Sequence, residues 1–431
     1  MASRFKQSER ERHLTIGEVL DPAYPERTNG EASMLKYRLK YGRGVFHKLW
    51  FVALVIGAAP ILLGGFSEHC PWCAPVAMMT TPRATHSATL LPDGDVLIAG
   101  GMTHNSDYLA TAELYHPRTR TFSPTGSMPA PRGGHTATLL RTGKVLITGG
   151  YNGTGKTLSS ALLYDPAKGA FTPTGSMAAS RGENSATLLA DGRVLIAGGE
   201  DHDVATATAE IYDPVRERFS STGSMHIARA YHVAALLAGD LVLVAGGGPD
   251  LHHVVAGAEV YDARTGRFTP VGNMSAVRRK ATATTLHDGR VLITGGADER
   301  DSEGRLASAE LFDPATLRFH RAPTMASPRY KDTRAAVLLG DGTVLIAGGA
   351  REVEVYDPAA NRFHAIAGGP DAPRYYSTAT LLSDGAVLVV GGYGDDYGQS
   401  DAQAWVIGSA AMKRTVARAT AASAIGPDVR K

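Results

Sequence analysis

One motif recurs seven times along most of this chain, and it constrains the fold more than any other feature. Clear copies read HSATLLPDGDVLIAGG from His86, HTATLLRTGKVLITGG from His135 and STATLLSDGAVLVVGG from Ser377. Each copy ends in a pair of glycines, and successive pairs lie about 49 residues apart. A chain of this kind folds as a series of equivalent units, each of which buries its apolar surface against its neighbours.

Each copy predicts four short β-strands. The segments ATLL and VLIA form the first two, and the turn between them contains a glycine, such as Gly94 or Gly143, that is expected to adopt a positive φ. Aromatic residues mark the third strand, namely Tyr115, Tyr164, Tyr212, Tyr261, Phe312, Tyr356 and Trp405. A second aromatic follows seven residues later in six copies, namely Phe122, Phe171, Phe219, Phe268, Phe319 and Phe363. Seven four-stranded units predict an all-β, seven-bladed propeller over residues 71–408.

The double glycine, the tyrosine and the second aromatic at a fixed offset resemble the kelch repeat. This resemblance covers residues 71–408 and implies a kelch-type β-propeller, similar to the central domain of galactose oxidase. The sequence has phenylalanine where the family usually has tryptophan, which conserves a large packing group.

The seventh copy lacks its outer strand. Its third strand is predicted at Ala402–Ile407, and no matching fourth strand follows. Counting back from Met79 with the spacing of the other copies leads to residues 72–76, and this segment would close the ring and remove the open sheet edges. The alternative is a strand from the C-terminal tail, residues 409–431, for example from Lys413.

The N-terminal region predicts a membrane attachment. Residues 1–48 form a polar tail that becomes basic, and residues 49–66 contain no charged side chain. Eighteen apolar residues make a helix of about 27 Å, long enough to cross a bilayer as a transmembrane helix or signal anchor. The basic flank places the N-terminus in the cytoplasm and the propeller outside it, in the periplasm or the extracellular space. The alternative is a cleaved signal peptide and a secreted propeller.

Charge and cysteine content narrow the possible functions. The 44 basic and 42 acidic residues nearly balance, which argues against nucleic acid as a partner. Cys70 and Cys73 are the two cysteines of the chain. They predict a local disulfide or a pair of thiols in preference to a redox CxxC site, because they precede a strand and not a helix.

An arginine precedes every first strand, and these arginines are expected to ring one face of the propeller near its central channel. They are Arg83, Arg132, Arg181, Arg229, Arg278, Arg329 and Arg374. Five third strands carry an acid, namely Glu113, Glu210, Glu259, Glu310 and Glu354. The arginines therefore predict either structural ion pairs or a positive funnel for anionic groups such as sugar acids. Leu162 and Gln403 replace the acid in two copies, so Arg132 and Arg374 are the best candidates for free arginines.

Three histidines lie three residues after these arginines, and they predict either polar groups at the start of the first strands or metal ligands. Tyr231 and His232 are adjacent in ARAYHVAALL, which resembles the stretch that supplies copper ligands in galactose oxidase. The resemblance weakens there, because no cysteine follows Cys73 in this sequence, and the further histidine ligand that the family draws from a C-terminal β-domain has no counterpart in residues 409–431. The candidate ligand-binding residues are therefore Arg83, Arg132, Arg181, Arg229, Arg374, His86, His135, Tyr231 and His232.

The sequence thus predicts a monomeric, membrane-anchored binding module with no cofactor. It would recognise a carbohydrate or a protein through the loop face around the channel. One alternative is an enzyme similar to the bacterial sialic-acid mutarotases, acting on a sugar acid with acid–base groups. Another is a scaffold for a membrane partner protein. Breaks in the repeat are the better guides to function: Tyr231-His232, the two blades without the acid, and the insertion around Lys331 to Arg334.

Overall fold

A computed structural model describes residues 73–76, 78–103, 107–366, 370, 372–395, 400–409 and 412. These residues form seven four-stranded antiparallel sheets and one two-stranded hairpin. The first strands of the seven sheets contact one another in a closed ring around a central channel. The predicted all-β, seven-bladed propeller is confirmed.

Blades 1 to 4 follow one another along the chain, each running from the channel outwards. Blade 1 contains β2 (Ser87–Leu90), β3 (Val96–Ala99), β4 (Ala112–His116) and β5 (Thr121–Thr125). Blade 2 contains β6 (Thr136–Leu139), β7 (Val145–Thr148), β8 (Ala161–Asp165) and β9 (Ala170–Pro173). Blade 3 contains β10 (Ser185–Leu188), β11 (Val194–Ala197), β14 (Ala209–Asp213) and β15 (Arg218–Ser221), with the hairpin β12 (Glu200–Asp201) and β13 (Val204–Ala205) inserted. Blade 4 contains β16 (Val233–Leu236), a 3-10 turn (Ala238–Asp240), β17 (Leu241–Ala245), β18 (Ala258–Asp262) and β19 (Arg267–Pro270).

Blades 5 to 7 complete the ring. Blade 5 contains β20 (Thr282–Thr285), β21 (Val291–Thr294), β22 (Ala309–Asp313) and β23 (Arg318–Ala322). Blade 6 contains β24 (Ala336–Leu338), β25 (Val344–Ile346), β26 (Val353–Asp357) and β27 (Arg362–Ile366). Blade 7 contains β28 (Thr378–Leu381), β29 (Val387–Val390), β30 (Ala404–Ile407) and, as its outer strand, β1 (Cys73–Pro75).

Strand β1 closes the ring from the N-terminal side. It pairs antiparallel with β30, with Cys73 opposite Ile407 and Pro75 opposite Trp405. The N-terminal origin predicted for the missing strand is confirmed. The last blade is therefore held together by residues more than 300 positions apart in the chain, which leaves it without an unpaired third strand.

Burial differs between the first and second strands. The second strands, such as Val96–Ala99, are buried along their whole length, as expected for strands between neighbouring blades. The first strands, such as Thr136–Leu139, are only half-buried, although their apolar sequence predicts burial on both faces. The physical reason is that they line the central channel.

Aromatic pairs fill the spaces between blades. The third-strand aromatic packs on the fourth-strand phenylalanine, with ring centroids 4.8 Å apart for Tyr164 and Phe171. Tyr164 also packs against Leu97 and Ala99 of the preceding blade. Its hydroxyl lies 2.8 Å from the hydroxyl of Thr125, also in blade 1. The predicted packing role of these rings is confirmed.

The double glycines are required because neighbouring backbone approaches so closely that no side chain fits there. Gly100 and Gly101 have φ of 62° and 93°. A Cβ on Gly100 would lie 2.4 Å from the carbonyl oxygen of Arg132 in the next blade, and one on Gly101 would lie 2.5 Å from that of Ala84. Any side chain here would therefore push the loop away from the start of a first strand.

Two predictions fall on parts of the chain that the structure leaves undescribed. The predicted membrane helix, residues 49–66, lies outside the described residues, as do Cys70 and the side chain of Cys73. Within the described part of the chain, no helix is both long enough and apolar enough to span a bilayer.

Candidate functional site

The recurring arginines lie beneath the channel face and tie together the loops of their own blades. Arg83 is fully buried and donates to the carbonyl oxygens of Gly100 at 2.8 Å and Thr111 at 3.1 Å. It also forms an ion pair with Glu113, 2.7 Å away on the third strand. The same pair recurs in blades 3, 4, 5 and 6, as Arg181–Glu210, Arg229–Glu259, Arg278–Glu310 and Arg329–Glu354. In these five blades the arginines therefore form the structural ion pairs that were one of the two predicted roles.

Arg132 and Arg374, expected to be free, are both engaged. Arg132 is 1% exposed and donates to the Gly149 carbonyl and the Ser160 hydroxyl. Burial without an acidic partner lowers the pKa of its guanidinium to about 10. Arg374 forms an ion pair with Asp401, 2.8 Å away. Ligand binding by the recurring arginines stays a prediction, but a molecule in the channel could reach those buried groups only if a blade loop moved.

The recurring histidines connect neighbouring blades. His86 Nε2 lies 3.0 Å from the Thr378 hydroxyl, and His135 Nε2 lies 2.9 Å from the Ser87 hydroxyl. Burial lowers the pKa of both imidazoles well below the ordinary value, and nearby arginines lower it further. They are therefore neutral near pH 7 and poorly suited to act as general bases.

Tyr231 and His232, which resemble copper ligands of galactose oxidase, have separate hydrogen-bond partners in this structure. The Tyr231 hydroxyl donates to Glu200 at 3.0 Å, whereas His232 Nε2 lies 2.9 Å from the Ser185 hydroxyl. Burial lowers the pKa of His232 to about 3. Across the described residues, no group of three or more histidine, cysteine, aspartate and glutamate side chains is arranged to hold a metal ion.

A closed belt of seven backbone hydrogen bonds encircles the channel mouth. It is made by the residues two positions after each recurring arginine, all of which have φ between 50° and 62°. Each of them donates its N–H to the carbonyl of its counterpart in the preceding blade, at distances from 2.7 to 3.3 Å. We call these residues the belt: Thr85, Gly134, Glu183, Tyr231, Lys280, Lys331 and Tyr376.

The belt side chains differ from blade to blade, although their backbone conformation is the same. Two are small, and five are acidic, aromatic or basic. Sequence reasoning singled out Tyr231 and noted Lys331, but it missed the belt as a set. The signal was available: a variable position lies between a fixed arginine and the first strand in every copy.

A cluster of carboxylates and phenols occupies one side of the mouth. Glu200, on the hairpin of blade 3, accepts hydrogen bonds from Tyr231 at 3.0 Å and from Tyr151. Glu183 lies beside them in the belt, and its carboxylate has no hydrogen-bond partner among the described residues. Burial raises the pKa of Glu183 to about 7, and the charge of Glu200 adds to this effect.

Basic and aromatic groups occupy the other side. Lys280 Nζ lies 2.8 Å from Asp301 and 5.2 Å from the centre of the Tyr231 ring. Lys331 Nζ lies 2.9 Å from the Tyr393 hydroxyl and 4.8 Å from the centre of the Tyr330 ring. Burial lowers the pKa of Lys331 to about 8, assisted by the charge of Lys280.

A two-residue insertion places a guanidinium in the channel. Blade 6 has eleven residues from Arg329 to Leu339, where blade 1 has nine from Arg83 to Leu91, and the extra pair is Thr333-Arg334. Arg334 donates to the carbonyl of His86 at 2.8 Å and to that of His135, both across the channel. The interruption noted around Lys331 to Arg334 is thus a connection between blade 6 and blades 1 and 2.

A cavity of about 340 Å³ lies in the channel at the level of the belt. Hydroxyl and amide groups line it, including those of Ser87, Thr136 and Asn184. Glu183 and Arg334 also line it and bring opposite charges to the same space. The mouth therefore combines charges of both signs, aromatic rings and hydroxyl groups around a space large enough for a small molecule.

Comparison with known proteins supports the fold and one copy of the repeat. A Kelch motif matches residues 83–129. No match is found among curated proteins. A solved structure described as a novel fungal alcohol oxidase with catalytic diversity among the AA5 family, in complex with copper, is similar in fold with a TM-score of 0.59. It is 18% identical in sequence, and the similarity covers 79% of this chain and 76% of that chain.

An identity of 18% supports similarity of fold only, so the activity of that oxidase is not assigned to this chain. The matched motif spans blade 1, and the same arginine, double glycine and aromatic pair recur around the ring. The chain is therefore a seven-bladed β-propeller in which one blade matches the Kelch motif.

Proposed function

We propose that the channel mouth binds a small, hydroxyl-rich ligand that bears a carboxylate, such as a sugar acid. The belt is the observation that carries this proposal. Its backbone is the same in all seven blades, yet its side chains are different. A repeated position with a constant backbone role is free to vary in its side chain, and here that variation places Glu183 and Tyr231 on the cavity wall and Lys280 beside Tyr231.

The ligand class follows from the side chains present. Lys280 and Lys331 are buried next to the aromatic rings of Tyr231 and Tyr376, and their positive charges favour a carboxylate bound in the channel mouth. The hydroxyl-lined cavity offers hydrogen-bond partners to the hydroxyl groups of a sugar. Its volume of about 340 Å³ accommodates a monosaccharide but not a folded protein segment. These properties favour a sugar acid over a protein as the ligand at this site.

Binding can be tested with the full-length protein and a panel of matched acidic and neutral sugars, by isothermal titration calorimetry. We expect glucuronate to bind and methyl glucoside to bind at least about tenfold more weakly, since it lacks the charge. Lys280→Gln and Lys331→Gln should each weaken glucuronate binding by about tenfold or more, which corresponds to ~1.4 kcal/mol.

Lys168→Gln is the matched control, because Lys168 lies exposed on the outer turn of blade 2 and has the same charge. It should leave glucuronate affinity unchanged. Equal affinity for the acidic and neutral sugars, or equal effects of the three substitutions, would contradict the proposal.

A second candidate function is acid–base catalysis on a sugar acid, as in a mutarotase or an epimerase. The observation that favours it is the Glu183 carboxyl, which lines the cavity with a pKa of about 7. A group of this pKa can both accept and donate a proton near neutral pH. Exchange NMR on the anomers of glucuronate would detect such activity, and Glu183→Gln should abolish it. Anomer exchange at the uncatalysed rate would leave binding as the function.

Membrane attachment of the N-terminal segment is a separate proposal. It rests on the uncharged residues 49–66 and their basic flank, with the propeller on the non-cytoplasmic side. Resistance to alkaline extraction from membranes would support an anchor. Release of a shortened chain would support a cleaved leader. If the protein is a scaffold for a membrane partner, that partner should co-purify with the full chain but not with a variant that lacks residues 1–70.

A further inference from the structure

The two carboxylates at the channel mouth have opposite surroundings. Glu200 accepts hydrogen bonds from two phenols, Tyr151 and Tyr231. Glu183 has no such partner among the described residues, and its carboxylate lies against Gly134 of the neighbouring blade. A Cβ on Gly134 would be 2.6 Å from Glu183 Oε1. The belt thus holds the Glu183 carboxyl group close to the backbone of blade 2.

The cations that face Glu183 are bound to other groups. Arg334 interacts electrostatically with Glu183, but its guanidinium donates to the carbonyls of His86 and His135. Lys280 also interacts with Glu183, yet its ammonium is 2.8 Å from Asp301. The other titratable groups facing Glu183 are Glu200 and the phenols of Tyr108, Tyr151, Tyr231 and Tyr376.

We propose that the channel mouth takes up its anionic ligand together with one proton, which resides on the Glu183 carboxyl group and is donated as a hydrogen bond to the ligand. This inference rests on the proposed function. No covalent bond to the ligand forms: a ligand carboxylate, a proton from solvent and the Glu183 carboxylate combine into a carboxylic acid bonded to a carboxylate. Two carboxylates at hydrogen-bond distance cannot both stay ionised at low cost, so they share a proton.

The pH dependence of binding follows from this scheme. The pKa of Glu183 is about 7 in the free protein, and a bound anion raises it further. Below pH 7 the group is already protonated, so binding takes up little proton and its affinity is constant. Above pH 7 the free protein must first gain a proton, so the affinity falls by up to tenfold per pH unit. Lys331, with a pKa of about 8, adds its own titration at higher pH.

The test is calorimetry with glucuronate and the full-length protein between pH 6.0 and 8.0. Titrations in buffers of different ionisation enthalpy report the number of protons taken up on binding. We expect uptake near zero at pH 6 and well over half a proton at pH 7.5–8, with affinity decreasing over the same range. Uptake by the unmodified protein needs no substitution, so a variant that fails to fold does not weaken this measurement.

Three variants assign the proton. Glu183→Gln should take up much less proton at pH 7.5 than the unmodified protein, only the minor share that Lys331 contributes, and its affinity should change little from pH 6.0 to 7.5. Lys331→Gln should keep the uptake at pH 7.5, although its affinity is lower. Asp332→Asn is the matched control, because burial raises the pKa of Asp332 to about 7 as well. Asp332 is fully buried and does not line the cavity, so its substitution should leave the uptake unchanged.

The possible outcomes separate the two proposals. If glucuronate fails to bind at every pH, the proposed function is wrong, and this inference fails with it. If glucuronate binds without proton uptake, or if uptake stays undiminished in Glu183→Gln or disappears in Asp332→Asn, this inference alone is wrong.

Discussion

Each recurring arginine joins two loops of its own blade through a buried guanidinium. In blade 4, Arg229 bonds to two carbonyls and to Glu259, and Glu259 also accepts from the backbone N–H of His226. In blade 2, Arg132 makes the corresponding bonds to backbone, but Leu162 occupies the position of the acid. The chain therefore contains its own comparison between a paired and an unpaired buried arginine.

Removal of the two arginines should have unequal costs. Arg229→Met leaves the Glu259 carboxylate buried without its cation, and we expect a loss of about 3–5 kcal/mol in the free energy of unfolding. Arg132→Met leaves no buried charge, so the loss should be roughly 1–2 kcal/mol from hydrogen bonds alone. Urea denaturation of both variants measures the difference. Equal losses would show that the ion pair adds nothing beyond the backbone bonds.

At the scale of elements, the blades are equivalent except where one is interrupted or completed from outside. Blade 6 keeps the strand register of blade 1, since Ala336 pairs with Ile346 as Ala88 pairs with Ile98. The Thr333-Arg334 insertion is therefore accommodated before the first strand and not within it. Blade 7 depends instead on β1, which contributes three residues at the outer edge.

Removal of the closing strand should destabilise the propeller. A variant that lacks residues 1–76 leaves β30 with an unpaired edge, so we expect a thermal midpoint several degrees lower and a tendency to associate. A variant that lacks residues 1–70 retains β1 and is the matched control. Differential scanning calorimetry and sedimentation measure both effects. A similar loss on removal of residues 413–431 would indicate that the C-terminal tail contributes to closure instead.

At the scale of the whole molecule, buried histidines and buried carboxyl groups change the free energy of unfolding in opposite directions as pH changes. The neutral histidines His86, His135 and His232 have a lowered pKa in the folded state, so the unfolded chain binds protons first as pH falls below about 6.5. Their contribution to stability is complete above pH 6.5 and decreases below it. The pKa values of Glu183 and Asp332 are raised to about 7 in the folded state. The stability that these protonated carboxyl groups contribute to the fold is therefore complete below about pH 4 and decreases as pH rises towards 7.

Substitution of the three histidines should separate these trends. Asn184 occupies the same position in blade 3, so His86→Asn, His135→Asn and His232→Asn reproduce a side chain that the fold already accepts. We expect the combined variant to lose less stability than the unmodified protein between pH 6.5 and 4.5, where each histidine accounts for up to about 1.4 kcal/mol per pH unit. Thermal unfolding across this range measures it. Parallel curves for the two proteins would contradict the assignment.

Part of the candidate site was predictable from the sequence. The arginine–glutamate pairs could be expected because both residues recur at constant spacing, and Tyr231 stood out as a break in the pattern. The partner of Arg374 could not be predicted, because Asp401 precedes the third strand, whereas the acid of the other blades lies on it. The contacts of Arg334 were equally hidden, because its acceptors belong to blades 199 and 248 residues away in the chain.

The repeat by itself determined the blade count, the four strands of each blade, the glycine turns and the segment that closes the ring. These follow from local rules: strand alternation, the steric demand for glycine at positive φ, and a constant spacing between copies. Only the tertiary structure decided which side chains meet at the channel. The belt forms because seven distant backbone segments are brought into hydrogen-bond contact around one axis, and the burial that raises the pKa of Glu183 arises from that closure and not from its neighbours in sequence.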